Sequence, residues 1–151
     1  MKFKVLGVMA ALLFLAACQT GPQSGSGVAG AATPGSREDF IQNVGDRVFF
    51  DFDKSNIKPE GQATLQKQAA WLKKYPNVKV TVEGHCDERG TREYNLGLGE
   101  RRATAVKRAL VALGIDAGRI STISYGKERP AVVGSNEAAW AQNRRGVTVV
   151  Q

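Results

Sequence analysis

Residues 82–103 read Val82-Glu83-Gly84-His85-Cys86-Asp87-Glu88-Arg89-Gly90-Thr91-Arg92-Glu93-Tyr94-Asn95-Leu96-Gly97-Leu98-Gly99-Glu100-Arg101-Arg102-Ala103. The stretch runs from a strand through a polar loop into a helix. Lys79 to Glu83 alternates, with Val80 and Val82 on the core side, and Gly84 opens the loop. Thr91 is a good N-cap, and Glu93 places an acid in the first turn. The helix is expected to run to Leu113, with Gly114 as its C-terminal glycine. Leu98, Val106, Ala109 and Leu113 share one stripe. Arg102 lies on that stripe too, four residues from Leu98 and four from Val106, and Asn95 precedes it by seven. Arginine is almost never buried unpaired. Arg102 therefore calls for a carboxylate, either Asp87 or Glu88 as an internal pair or one brought by a ligand.

On the N-terminal side, Arg37 to Gly45 reads as a short helix capped by Ser36, with Asp39 at the third helical position. Arg47 to Phe52 reads as a strand whose Val48, Phe50 and Phe52 share a face. Asp53-Lys54-Ser55-Asn56 is a loop of turn formers. Lys58-Pro59-Glu60 opens a helix with proline in its first turn. Leu65, Ala69 and Leu72 form its buried stripe, Trp71 sits at the edge, and Tyr75-Pro76-Asn77 stops it. On the C-terminal side, Arg119 to Ser124 is a third strand with Ile120 and Ile123. A loop follows at 125–130. A short helix spans Asn136 to Asn143, capped by Ser135 or Asn136, and Arg145 to Val150 is the last strand. The order β-α-β-α-β-(α)-β implies an α/β chain of the two-layer α+β kind, with helices on one face of the sheet.

The 151 residues suit one domain with additions. At 42% hydrophobic and 23% charged residues the composition supports a real core. Met1 to Ala17 reads as an export signal. Lys2 and Lys4 form a charged start, and Val5 to Leu15 is an apolar run too short for the roughly 20 residues of a membrane span. Leu15-Ala16-Ala17-Cys18 resembles the lipobox of bacterial lipoproteins, which implies cleavage before Cys18 and acylation of that residue. Gln19 after the cysteine resembles the class sorted to the outer membrane. The formal charge of +7, less the two lysines of the signal, leaves +5 on the mature chain. Such an excess attracts anionic polymers generally and identifies none. Gln19 to Ser36, rich in Gly, Ser, Ala and Pro and free of charge, reads as a flexible tether. Its r.m.s. reach is about 23–25 Å. The folded domain is then 37–151. With Cys18 lipidated, Cys86 has no partner within the chain.

From about Val48 to Val150 the sequence resembles the OmpA-like peptidoglycan-binding domain. The matching residues are Phe50-Asp51-Phe52-Asp53, Val80 to His85, Asp87-Glu88-Arg89-Gly90-Thr91 and Glu93-Tyr94-Asn95. They continue through Leu98 to Ala103, Ser124 to Glu128 and Asn143-Arg144-Arg145. The resemblance implies a four-stranded mixed sheet and a domain that binds the peptide stem of peptidoglycan without cutting it. It also implies that diaminopimelate is the element read. Asp87 would hold the ligand's ammonium and Arg102 its carboxylate, with Asp53 lining the pocket. Asn95, Arg144 and His85 would support them. In lipoprotein members the partner is the periplasmic propeller protein TolB, in a system linking outer membrane, wall and inner membrane during division. The lipid end would sit in the outer membrane and the domain in the periplasm. Cys86 departs from the alanine or threonine common in the family and is read as a small buried side chain.

Three other functions compete. His85, Cys86, Asp87 and Glu88 are catalytic residue types, but His85 is the only histidine, and no cysteine–histidine pair with an orienting acid is evident. The chain is therefore read as a non-enzyme without metal or cofactor. Arg101, Arg102, Lys107 and Arg108 make a basic run. Glu93 and Glu100 interrupt it, and no aromatics interleave to stack on bases. A scaffold that binds only an envelope protein and no wall is the remaining alternative.

Overall fold

The computed structural model describes residues 30–151. The expected signal peptide, the lipidation at Cys18 and the tether as far as residue 29 lie outside the described residues. Ala31 to Gln151 form one compact unit. Its elements are α1 (Arg37–Asp39), continued by a wider helical turn over Phe40–Val44, then β1 (Arg47–Phe49), α2 (Pro59–Lys74), β2 (Val80–His85), α3 (Arg92–Ala112), β3 (Ile120–Gly126), α4 (Glu137–Asn143) and β4 (Arg145–Val150). Among the described residues no helix is long and apolar enough to cross a membrane.

The four strands lie in the order β1-β4-β2-β3. β4 is antiparallel to both β1 and β2, whereas β2 and β3 run parallel. The sheet is mixed, as the resemblance implied. The parallel pair is joined through α3, the kind of crossover that parallel strands require.

The core lies between the sheet and α2 and α3. Val80, Val82, Ile120 and Val150 of the sheet meet Leu65 and Leu72 of α2 and Ala103, Val106 and Leu110 of α3. The caps are those expected: Ser36 accepts from the Asp39 amide, Thr91 from Tyr94 and Asn136 from Ala139. Gly114 takes a φ of 100° just past α3, a conformation that suits glycine.

Two expectations need correction. Trp71 does not sit at the edge of the buried stripe but is itself 7% exposed, packed between Phe40 and Tyr75 with its Nε1 donating to Asp39 at 2.9 Å. Phe52 leaves the apolar face of its strand. β1 ends at Phe49, the amide of Phe50 turns to the Arg144 carbonyl, and Phe52 is 55% exposed. Ile123 faces out from β3 and is half-exposed, because Ile120 and Ile123 are three apart and cannot share one face of a strand.

Two glycines set how closely α3 approaches the sheet. A Cβ on Gly84 of β2 would overlap the Gly99 carbonyl of α3, and one on Gly99 would collide with Ser124 of β3. This contact lays the first half of α3 over the end of β2. There the β2–β3 register shifts between Gly84 and His85, so that His85 lies opposite Gly126. Such an irregularity re-aims the residues that follow. The Cys86 amide then donates to the Gly126 carbonyl at 2.8 Å, and Asp87 is buried beside Asn95, Leu98 and Arg102 of α3.

Candidate binding site

A cavity of about 190 Å³ lies between the β1–α2 loop, the β2–α3 loop and the first half of α3. Asp53, Asp87, Asn95 and Arg102 all line it, together with Phe52, Arg89, Tyr94 and Leu98. The structure thus brings to one cavity four residues separated by up to 49 positions in sequence.

Arg102 forms the floor. It is 1% exposed, and its partner is no protein carboxylate. Nε donates to the Lys54 carbonyl at 2.8 Å, one terminal nitrogen to His85 at 2.9 Å, and the other to Asp51 at 3.0 Å. Of the two sources of a carboxylate, the internal pair with Asp87 or Glu88 is not formed, and three backbone acceptors hold the guanidinium instead. Carbonyls can satisfy a guanidinium because it offers five N–H donors in a fixed plane. Two donors remain beyond these three bonds. Burial pulls the Arg102 pKa below its ordinary value, and nearby Asp87 opposes that pull.

Asp87 stands beside it, 3% exposed. Its Oδ1 accepts from the Arg89 backbone amide at 3.0 Å and from Arg89 Nε at 3.2 Å. Its Oδ2 accepts from an Arg89 terminal nitrogen at 2.8 Å and from Arg144 at 3.4 Å. Burial pushes the carboxyl up, but these donors outweigh it and hold Asp87 below the usual carboxylate value. Arg144 is fixed from behind by the Phe50 carbonyl at 2.9 Å and by Glu137 at 2.8 Å.

Asn95 serves the loop. Its side-chain amide donates to the carbonyls of Arg89 and Thr91, pinning residues 89–91 over the start of α3. Asp53 sits at the opposite lip with a positive φ of 57° and bonds the Tyr94 hydroxyl. Asp tolerates this left-handed conformation better than most residues. Cys86 is buried, its thiol donates to the Asn95 carbonyl, and burial raises its pKa.

His85 is placed differently from its neighbours. Its carbonyl belongs to the floor, as an acceptor for Arg102. Its ring packs against Tyr125 and pairs with Glu83 at 3.4 Å, and it does not line the cavity. Burial, with Arg145, Arg129 and Arg47 nearby, lowers its pKa to about 3.

Sequence reasoning missed the aromatic rim. The Arg89 guanidinium lies between two rings, with Cζ 3.9 Å from the centre of Phe52 and 4.0 Å from that of Trp140. Trp140 also donates to Glu88 at 2.9 Å. The one available clue was the turn-forming run after Phe52, which ends the strand before that residue can join the core.

Residues 49–144 match the OmpA family. The chain is 59% identical over 126 residues to the peptidoglycan-associated lipoprotein of Agrobacterium fabrum, covering 83% of this chain and 71% of that one. It is 60% identical over 122 residues to the protein of the same name from Rhizobium meliloti, covering 81% and 69%. The crystal structure of the peptidoglycan-associated lipoprotein from Burkholderia pseudomallei superposes with a TM-score of 0.68 at 47% identity, covering 70% of this chain and 90% of that one. These three similar proteins are peptidoglycan-associated lipoproteins, and the chain belongs to the OmpA family.

Proposed function

We propose that this chain is an outer-membrane lipoprotein that holds peptidoglycan non-covalently through the diaminopimelate of the stem peptide. The observation that carries the reading is the pairing of Asp87 and Arg102, both nearly fully buried yet both lining one cavity. Diaminopimelate differs from lysine by a carboxylate beside its distal amine. Reading it takes an acid and a base a few ångströms apart. Asp87 accepts from the ammonium, and the two remaining donors of Arg102 meet the carboxylate. Asp53 closes the outer lip, while Asn95, Arg144 and the His85 carbonyl hold the two readers in place.

Binding proceeds without cleavage. The His85 imidazole is directed away from the cavity, and the Cys86 thiol is buried and protonated, so neither stands ready to attack a ligand. Each hydrogen bond to a charged group contributes roughly 1.5–3 kcal/mol, and immobilising the ligand offsets part of that. One stem is thus held modestly. Many copies anchored through acylated Cys18 and an eighteen-residue tether convert modest contacts into firm attachment by effective concentration. In this reading the domain works in the periplasm, with a TolB-like partner, in the Tol–Pal system that joins the envelope layers at division.

The test is co-sedimentation of the full chain with purified diaminopimelate-type cell walls. Wild type is expected in the pellet and Asp87→Asn in the supernatant. Equal pelleting of both would remove Asp87 from the reading. A folded wild type that stays in solution while a TolB-like protein still captures it would favour the scaffold function. The exposed Val132 and Val133 beside the Glu88 loop are the feature that supports such a protein contact.

A further inference from the structure

We infer that Arg89 is the resident counter-ion of the ligand site, and that binding is an exchange in which the ligand's ammonium takes the place of the Arg89 guanidinium on Asp87. The inference rests on the proposed role of Asp87 as ammonium reader and adds what must move for that role to operate.

The argument is one of acceptor capacity. An ionised carboxylate offers about four acceptor positions. Four N–H groups already occupy Asp87: the Arg89 amide, two nitrogens of the Arg89 fork, and Arg144. An arriving ammonium must displace one of them. The Arg89 amide belongs to the backbone of a loop pinned by Asn95. The Arg144 side chain is 8% exposed and tied to the Phe50 carbonyl and to Glu137. The Arg89 side chain is 31% exposed and, besides Asp87, has only ring faces as partners. It is the donor that can leave.

The surroundings suit departure and return. Phe52, half-exposed, and Trp140 form an open-sided clamp that attracts a cation without bonding it directionally. Glu88 and Glu137 lie within the field of the guanidinium and offer it negative charge outside the cavity. An empty site is thereby kept neutralised, so the buried Asp87 is never left unpaired. The exchange also sharpens selection. A ligand bringing only a cation trades one ion pair for another, whereas one bringing a carboxylate as well gains Arg102 in addition.

The experiment is a calorimetric titration of the full chain with a diaminopimelate-containing stem peptide, for wild type, Arg89→Gln and Arg89→Lys, with tryptophan fluorescence followed in parallel. Removing a competitor raises apparent affinity by the reciprocal of the fraction of sites it left open. Arg89→Gln is expected to bind about three- to tenfold more tightly than wild type, with Arg89→Lys between them. Loss of the cation stacked on Trp140 predicts a fluorescence change on binding in wild type and little in Arg89→Gln. Trp71, buried in the core away from the cavity, gives a constant background. If Arg89 only braces the loop or contacts the ligand directly, Arg89→Gln binds less tightly or equally, and the exchange is overturned while the wall-binding reading stands. If folded wild type fails to bind, the reading of the site falls and the exchange falls with it.

Discussion

The floor and the rim of the cavity each present an arginine, and the two are built differently. On the floor, Arg102 is locked by carbonyls from residues 51, 54 and 85, so it ties the β1–α2 loop to the end of β2. On the rim, Arg89 is held by one buried carboxylate and two ring faces, and its own side chain is 31% exposed. Removing the floor arginine orphans backbone from two segments. Removing the rim arginine orphans one side chain that Arg144 still partly serves. A binding site thus joins a part that is also architecture to a part that can adjust.

The contrast breaks most directly at the floor. Arg102→Ala should cost about 3 kcal/mol or more in urea denaturation, since three carbonyls lose their donor beneath a helix. A loss under 1 kcal/mol would mean that water replaces the guanidinium and that the floor is no more structural than the rim. Gly84→Ala should follow closely at about 2–3 kcal/mol, because the Cβ meets a backbone carbonyl that cannot swing aside. It should also weaken ligand binding, since α3 carries Arg102.

The floor and the rim lose stability in different pH windows. His85 has a folded pKa of about 3 against an ordinary value of 6.5. For a base with a lowered pKa, the unfolded chain binds more protons between those values. The stability contribution is therefore intact above about pH 6.5 and is lost progressively as pH falls toward 3. His85→Gln should flatten the stability profile between pH 4 and 6.5. Asp87, also lowered, contributes stability that is present above the usual carboxylate value and lost below it, so Asp87→Asn should flatten only the more acidic end. If both variants changed the same window, the two groups would be coupled, and the separation of floor from rim would not hold.

The smallest effect belongs to the rim. Phe52→Ser should lower stability by no more than about 0.5–1 kcal/mol, the worth of one exposed cation–π contact. A loss of 2 kcal/mol would show that the rim is architecture as well.

The sequence made the floor legible for a simple reason. Asn95, Leu98, Arg102 and Val106 fall on one helical stripe, and a charged residue in such a stripe is conspicuous. The strand before it, the Thr91 cap and the mixed sheet could be read from local pattern and the family resemblance, whereas Gly84, expected to open the loop, lies within β2. What could not be read was the partner of Arg102. The preference of guanidinium for carboxylate suggested Asp87, Glu88 or a ligand's carboxylate, whereas the fold supplied carbonyls of Asp51, Lys54 and His85 that no pattern marks. The same use of backbone recurs elsewhere: Arg119 donates to the carbonyls of Leu72, Tyr75 and Val78, and Arg37 to that of Val150. The rim was hidden because it joins Phe52, Arg89 and Trp140 from three separate segments. Alternation in Arg47 to Phe52 put Phe52 on the face of Val48 and Phe50, and only the early end of β1 releases it.

The central claim is that Asp87 and Arg102 together distinguish diaminopimelate from lysine. The direct measurement is calorimetric titration of the full chain with two stem peptides that differ only in that residue. Saturable binding of the diaminopimelate peptide, with the lysine peptide weaker by about tenfold or more, is the predicted result. Equal affinity for both would contradict the claim, since it would leave the buried guanidinium of Arg102 with no ligand to read.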